Sequence, residues 1–401
     1  MNKKTYDFDE IIDRSDSNAM AVEGFRDYLF GDNNSIVFDY GDNELIPMWV
    51  ADMSFAIAPE IITAIKNRLD RRTLGYTKVF DQSYSETFAN WTRSRYDWSF
   101  NPEHLITSPG VIPALFQLIE YICKDDDKIL IFTPSYAYFK HAADHNNIEV
   151  VSSPLMTNDS GFAIDFKDFE SKAKDPKVTL CILCHPHNPT GHIWSEKELR
   201  RIAEICFNNN IIIISDEIHC DILREGKVHT PLVKLFPDSE KIITCMSPSK
   251  TFNLAGLLFA NIIIPNQNIY KIWQDRHYIF ENPLSIAAAQ AAYSAGHEWL
   301  RQLSAYLDEN FTFVKKYLEA KLSNAIFRIP EATYFAWVDV SHYFPENENL
   351  TVFFAKNAGV LLEGGDMFVA NANGYIRLNL ACPRAMIEKA LERIINVCKV
   401  R

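Results

Sequence analysis

Val178-Thr-Leu-Cys-Ile-Leu-Cys184 is an almost unbroken apolar run of strand length, and His185-Pro-His-Asn188-Pro-Thr-Gly191 follows it with turn-forming residues. Residues 196–208 then carry Leu199, Ile202, Ala203 and Cys206 at helical spacing, and Ile211-Ile-Ile-Ile214-Ser-Asp216 returns to an aliphatic run. A strand, an amphipathic helix and a second strand without polar alternation describe a parallel β-α-β unit. Its strands are covered on both faces and therefore read as continuous Ile, Leu and Val.

The same alternation extends in both directions. Strands are expected at 104–107, 128–132, 148–153, 178–184, 211–214, 241–246 and 258–264, with a further helix at 114–124. The predicted fold is α/β, a mostly parallel seven-stranded sheet. After Pro283 the pattern changes to long helices at 285–296 and 297–322 and short strands near 327–328, 334–340 and 375–380, a smaller α+β unit. The expected division is a large domain over residues 46–290 and a small domain from 1–45 and 291–401, packed tightly because no Pro/Gly-rich linker separates them.

With 401 residues, 47% of them hydrophobic and 23% charged, the chain has the composition of a folded globular protein of two units. A net charge of −12 without a dense Lys/Arg run argues against a nucleic-acid partner. The polar, acidic first 16 residues and the lack of a long apolar segment lead us to expect a cytoplasmic protein with no membrane contact. Eight cysteines in a chain of this length read as reduced thiols. Cys181-Ile-Leu-Cys184-His185 matches the spacing of haem attachment, and His187 adds a tempting zinc ligand. In a strand, however, residues 181 and 184 face opposite sides and cannot grip one metal, so no metal is expected.

In open α/β sheets, ligands bind beyond the carboxyl ends of the strands. Ser108-Pro-Gly110-Val111-Ile112-Pro113 offers a strand–glycine–helix turn whose free N–H groups suit a phosphate, although such turns also occur for structural reasons alone. Tyr136 supplies either a stacking face or a core ring. Asp216 ends an all-isoleucine run, where a carboxylate is costly without a cation or strong donor, unless it caps the following segment. Ser247-Pro-Ser249-Lys250-Thr-Phe-Asn-Leu-Ala-Gly256 puts a lysine among apolar residues at a strand end, where a lowered pKa makes it a nucleophile and base. Taken alone, such a lysine would read as a solvated surface residue.

In this order and spacing, Asn188-Pro-Thr-Gly191, Asp216, Ser247-x-Ser249-Lys250 and Arg377 resemble the fold-type I pyridoxal 5′-phosphate (PLP) enzymes, the aspartate aminotransferase superfamily of class I/II. Pro47-Met-Trp-Val-Ala-Asp52-Met53, Gly75-Tyr76-Thr77, Ser108 to Ala114, Asp216-Glu-Ile-His219-Cys-Asp221 and Ser247 to Gly256 are similar to the MalY/PatB subgroup of cystathionine β-lyases, which contains C–S lyases. The resemblance implies that Lys250 carries PLP as a Schiff base and that Asp216 pairs with the pyridinium nitrogen. It implies further that Asn188 bonds the ring oxygen, that Tyr136 stacks on the ring, and that Gly110, Val111, Ile112, Ser247 and Ser249 surround the phosphate. Arg377 is then the clamp for the substrate α-carboxylate. Tyr76 resembles the tyrosine that reaches the phosphate of a neighbouring subunit, implying a homodimer with shared sites.

Four departures stand out. His219 replaces the tyrosine of aminotransferases, as in the lyase subgroup, and Leu258 stands where many aminotransferases have a phosphate-binding arginine. The stretch Asn18-Ala19-Met20-Ala21-Val22-Glu23 lacks the Ser-x-Lys-aromatic pattern, and Ser54 replaces a common aspartate. The expected activity is α,β-elimination of L-cystathionine or a related cysteine S-conjugate to thiol, pyruvate and ammonia. A PLP-dependent aminotransferase is the alternative, and a regulatory protein using the domain as a sensor a more distant one.

Overall fold

The aliphatic runs pair into a single sheet of eight strands in the computed structural model, which describes residues 5–33, 35–79, 82–158, 161–277 and 280–399. The strands are β1 (Leu105–Ser108), β2 (Lys128–Thr133), β3 (Glu149–Asn158), β4 (Gly161–Ile164), β5 (Val178–Cys184), β6 (Ile212–Asp216), β7 (Ile242–Met246) and β8 (Ala260–Ile263). Their spatial order is β1-β8-β7-β6-β5-β2-β3-β4. The pairs β3/β2, β2/β5, β5/β6 and β6/β7 are parallel, whereas β8 runs antiparallel to both its neighbours and β4 antiparallel to β3.

All seven expected strands are present and β4 is an addition. β3 continues past Ser153 and folds back as a hairpin, pairing Leu155 with Ile164 and Thr157 with Phe162. Four residues beginning with glycine carry too little periodicity to be read from sequence. The helix expected at 114–124 starts earlier, as α1 (Val111–Ile122). Pro113 sits in its first turn, where a missing N–H breaks no helical bond. α2 (Glu196–Asn208) spans the expected residues, its start fixed by a capping box in which Ser195 and Glu198 exchange side-chain and backbone bonds.

Alternation along the parallel strands sorts their side chains into two cores. Leu130, Phe132, Cys181, Leu183 and Ile213 pack on one face with Leu199, Ile202 and Cys206 of α2. Ile129, Ile131, Leu180, Ile182, Cys184 and Ile214 pack on the other face with Leu115 and Leu118 of α1. Cys181 and Cys184 therefore do lie on opposite faces.

A second, antiparallel sheet has the order β9-β10-β12-β11, formed by β9 (Ile326–Phe327), β10 (Phe335–Asp339), β11 (Glu363–Gly364) and β12 (Tyr375–Asn379). The helix at His297–Lys321 serves both bodies of structure: Trp299, Leu303 and Leu307 belong to the first core, and Phe311, Val314 and Leu318 to the core over the second sheet. Among the described residues no helix is long and apolar enough to cross a membrane.

Gly191 closes the turn after β5 at φ +66, and a Cβ there would lie 2.4 Å from Cβ of Pro330 and 2.6 Å from the backbone oxygen of Ala332. Positive φ and lack of space both require glycine. Gly191→Ala should destabilise the protein by about 1–3 kcal/mol or more, read as a lowered Tm and urea midpoint. An unchanged midpoint would show that the turn yields.

Candidate active site

Because β1, β2, β5, β6 and β7 point the same way, their carboxyl ends meet at one edge, and there the chain leaves a pocket of about 200 Å³. Gly110, Val111, Ile112, Tyr136, Asn188, Asp216, His219, Ser249 and Lys250 all line it. It adjoins a wider cavity of about 850 Å³ that shares Ile112, Tyr136 and Lys250 and adds Arg377.

Two expected residues stand apart. Ser247 lies just behind the pocket, its hydroxyl donating to the Phe259 carbonyl (2.6 Å) and accepting from the Ser249 amide (3.0 Å), so it caps the short helix Pro248–Thr251 that presents Lys250. Tyr76 is 90% exposed, outside both cavities of its own chain, with its ring against Phe280 at 4.8 Å.

Lys250 and Asp216 give the pocket its chemistry. Burial pushes the Lys250 ammonium down to about 8, against the attraction of Asp52 and Asp216. Its Nζ donates to the Ala51 carbonyl at 2.7 Å. Asp216 is 4% exposed, and burial raises its carboxyl to about 7 despite a bond from the Ile218 amide (3.2 Å) and the charge of Lys250. No cation among the described residues forms an ion pair with it. His219 is buried and held neutral, pushed down to about 3 by burial and by Lys250 and Arg377, and its Nδ1 finds no partner.

Asn188 accepts from Arg377 Nη1 at 3.1 Å, and no described residue accepts from its amide NH2. Arg377, 1% exposed, lies over the ring of Phe335 (3.9 Å) and beside that of Phe368 (5.2 Å). Its Nη2 donates to the Trp49 carbonyl at 3.0 Å and pairs with Glu363.

These groups suit PLP. An amine of lowered pKa matches its aldehyde, a buried carboxylate without a counter-ion matches a protonated ring nitrogen, and an unused amide donor matches the ring oxygen. Gly110 leaves the first amides of α1 without a side-chain cap, as a phosphate requires. Among the described residues no cluster of His, Cys, Asp or Glu is arranged for a metal.

Sequence reasoning missed several groups on the cavity wall. Glu363 and Tyr28 line it, as do Arg14 and Asp52, which form a two-point ion pair at 2.6 and 3.1 Å. Glu363 carried a readable signal, a lone charge in Val360-Leu-Leu-Glu363-Gly-Gly365. Arg14, in a polar terminus, carried none.

Asp216 also makes a stability prediction. Its folded-state carboxyl is raised, so the cofactor-free fold holds a proton that the unfolded chain has lost, and this residue withdraws stability as pH rises from about 4 to about 7. An ion-paired aspartate has the opposite sign. In cofactor-free protein, Asp216→Asn should raise Tm over the parent more at about pH 8 than at about pH 5. Comparing variant with parent cancels the buried histidines; equal differences at both pH values would count against the assignment.

Residues 43–394 match the family model for aminotransferase class I and II. The chain is 37% identical over 361 residues to cystathionine β-lyase PatB of Bacillus subtilis, covering 88% of this chain and 93% of that protein. The crystal structure of the PLP-bound C–S lyase from Staphylococcus hominis matches with TM-score 0.93 at 49% identity, covering 98% of each chain. Cystalysin from Treponema denticola, which contains a PLP cofactor, matches with TM-score 0.92 at 30% identity over 99% of this chain and 100% of that one. With its sheet order, strand-end motifs and this extent of likeness, the chain belongs to the aminotransferase class I and II family.

Proposed function

We propose that the protein is a PLP-dependent C–S lyase that cleaves L-cystathionine or a related cysteine S-conjugate by α,β-elimination. The observation that carries this reading is the meeting of Lys250 and the unpaired Asp216 in one buried pocket. Likeness to lyases over nearly the whole chain favours elimination over transamination.

When bound, PLP supplies a sink for the electron pair released as the substrate Cα loses its proton. Lys250 would tether the cofactor and take that proton at Nζ. The Cβ–S bond then breaks, the sulfur leaving with the bonding pair and taking a proton to become the free thiol. With one water, the three-carbon unit left behind ends as pyruvate and ammonia. Asp216 would keep the ring nitrogen protonated, Asn188 would donate to the ring oxygen, and Tyr136 would face the ring. The first turn of α1 and Ser249 would hold the phosphate, and Leu258 in place of an arginine leaves that task to backbone amides and hydroxyls. Arg377 receives the α-carboxylate through its planar fork.

The exposure of Tyr76 supports its reaching the phosphate of a second copy in a homodimer. The functional test is incubation with L-cystathionine, following thiol and pyruvate. Release of both without a keto-acid acceptor supports the lyase; turnover only with an acceptor would establish the aminotransferase instead. Lys250→Ala should lose at least on the order of 10³-fold in kcat/KM while retaining the parent's circular dichroism, because the tether and the base go together. Near-normal turnover by that variant would remove the assignment.

A further inference from the structure

Both arginines on the wall of the wider cavity are already held by carboxylates of this chain: Arg14 by Asp52, and Arg377 by Glu363. The second pair is the more buried, with side-chain exposures of 1% for Arg377 and 6% for Glu363. It is built into the sheet. Glu363 on β11 stands directly opposite Arg377 on β12, the placement in which cross-strand side chains meet. Arg377 Nε is buried without a partner among the described residues, and its Nη groups are taken by Asn188, Trp49 and Glu363. An incoming carboxylate therefore finds no free fork.

Two carboxylates cannot both stay ionised on one guanidinium in a buried site, because their mutual repulsion adds to the cost of desolvation. The backbone beside Glu363 is closely packed: a Cβ on Gly364 would lie 2.9 Å from the Thr351 amide, and one on Gly365 1.8 Å from the Ala372 carbonyl. The side chain itself lines the wider cavity of about 850 Å³.

We propose that Glu363 is a specificity-determining residue that holds the Arg377 fork between turnovers and is exchanged for the substrate α-carboxylate, taking up a proton as it leaves. This rests on the reading of Arg377 as the α-carboxylate site. Charged groups around Glu363 are Arg377, Asp366 and Lys250, with the phenols of Tyr28 and Tyr136 nearby. Burial already raises the Glu363 carboxyl, against the pull of Arg377, so proton uptake is the less costly way to vacate the fork. Amines that lack a carboxylate cannot make the exchange and are excluded. Carboxylate binding weakens as pH rises, since the exchange consumes a proton.

The test uses the holoenzyme and propionate, titrated by calorimetry in two buffers of different ionisation enthalpy. The parent should take up protons on binding. Glu363→Gln should take up none, bind propionate several-fold to about tenfold more tightly, and lower KM for L-cystathionine proportionately more than it changes kcat. Weaker or unchanged propionate binding by Glu363→Gln, with binding lost in Arg377→Lys, would show that Glu363 merely orients the arginine and would overturn the proposal. If Arg377→Lys binds propionate like the parent, the carboxylate is held elsewhere and the proposal falls with that reading, while the product assay for elimination still stands. Should Glu363→Gln fail to fold, absence of proton uptake by the parent is sufficient to reject the exchange.

Discussion

A carboxylate at the end of an all-isoleucine strand cannot stay ionised without a counter-charge, and the site is arranged around that constraint at Asp216. The contrast with its neighbour is informative. Glu217 is fully buried, yet it receives the Ser215 hydroxyl (2.8 Å) and the Leu232 amide (3.0 Å), and His229 Nε2 lies 2.7 Å away. Asp216 receives the Ile218 amide and is otherwise left open toward the pocket. Where one buried carboxyl is fully provided for and the next is not, the unprovided one is reserved for a ligand. The burial that raises its pKa also strengthens its attraction for a cation admitted to the pocket.

The segment at 47–53 joins the two sheets around this point. Its carbonyls face several ways: Trp49 accepts from Arg377, Ala51 from Lys250 and from Tyr334 (3.0 Å), and Val50 and Asp52 from the Asn379 amide at 2.7 and 2.6 Å. Lysine from the large sheet and arginine from the small one are thus referred to the same short stretch of backbone. Relative movement of the sheets would cost several hydrogen bonds at once. That coupling sets the distance between Lys250 and Arg377 across the cavity.

The N-terminal segment completes the enclosure. Ile12, Asn18, Ala19 and Met20 line the wider cavity, and Arg14 fastens the segment to Asp52. The departures from the subgroup's pattern, at residues 18–23 and at Ser54, therefore include groups on the wall of the wider cavity. They leave Lys250, Asp216 and Asn188 unchanged.

The sequence by itself determined the large sheet, because fully buried parallel strands must be aliphatic throughout and their ends must carry the polar residues. That is why Val178–Cys184, Ile212–Asp216, Asn188 and Lys250 were readable, as was the separation of Cys181 from Cys184 by strand alternation. β4 was not readable, since four residues hold too few periods, and the start of α1 was misjudged because proline marks a first turn as well as a break. The tertiary structure alone decided the meeting of Arg377 with Glu363, of Arg14 with Asp52, and of both sheets with residues 47–53. Local pattern reports burial and backbone state one element at a time, whereas an ion pair between strands depends on their register, which no single strand carries.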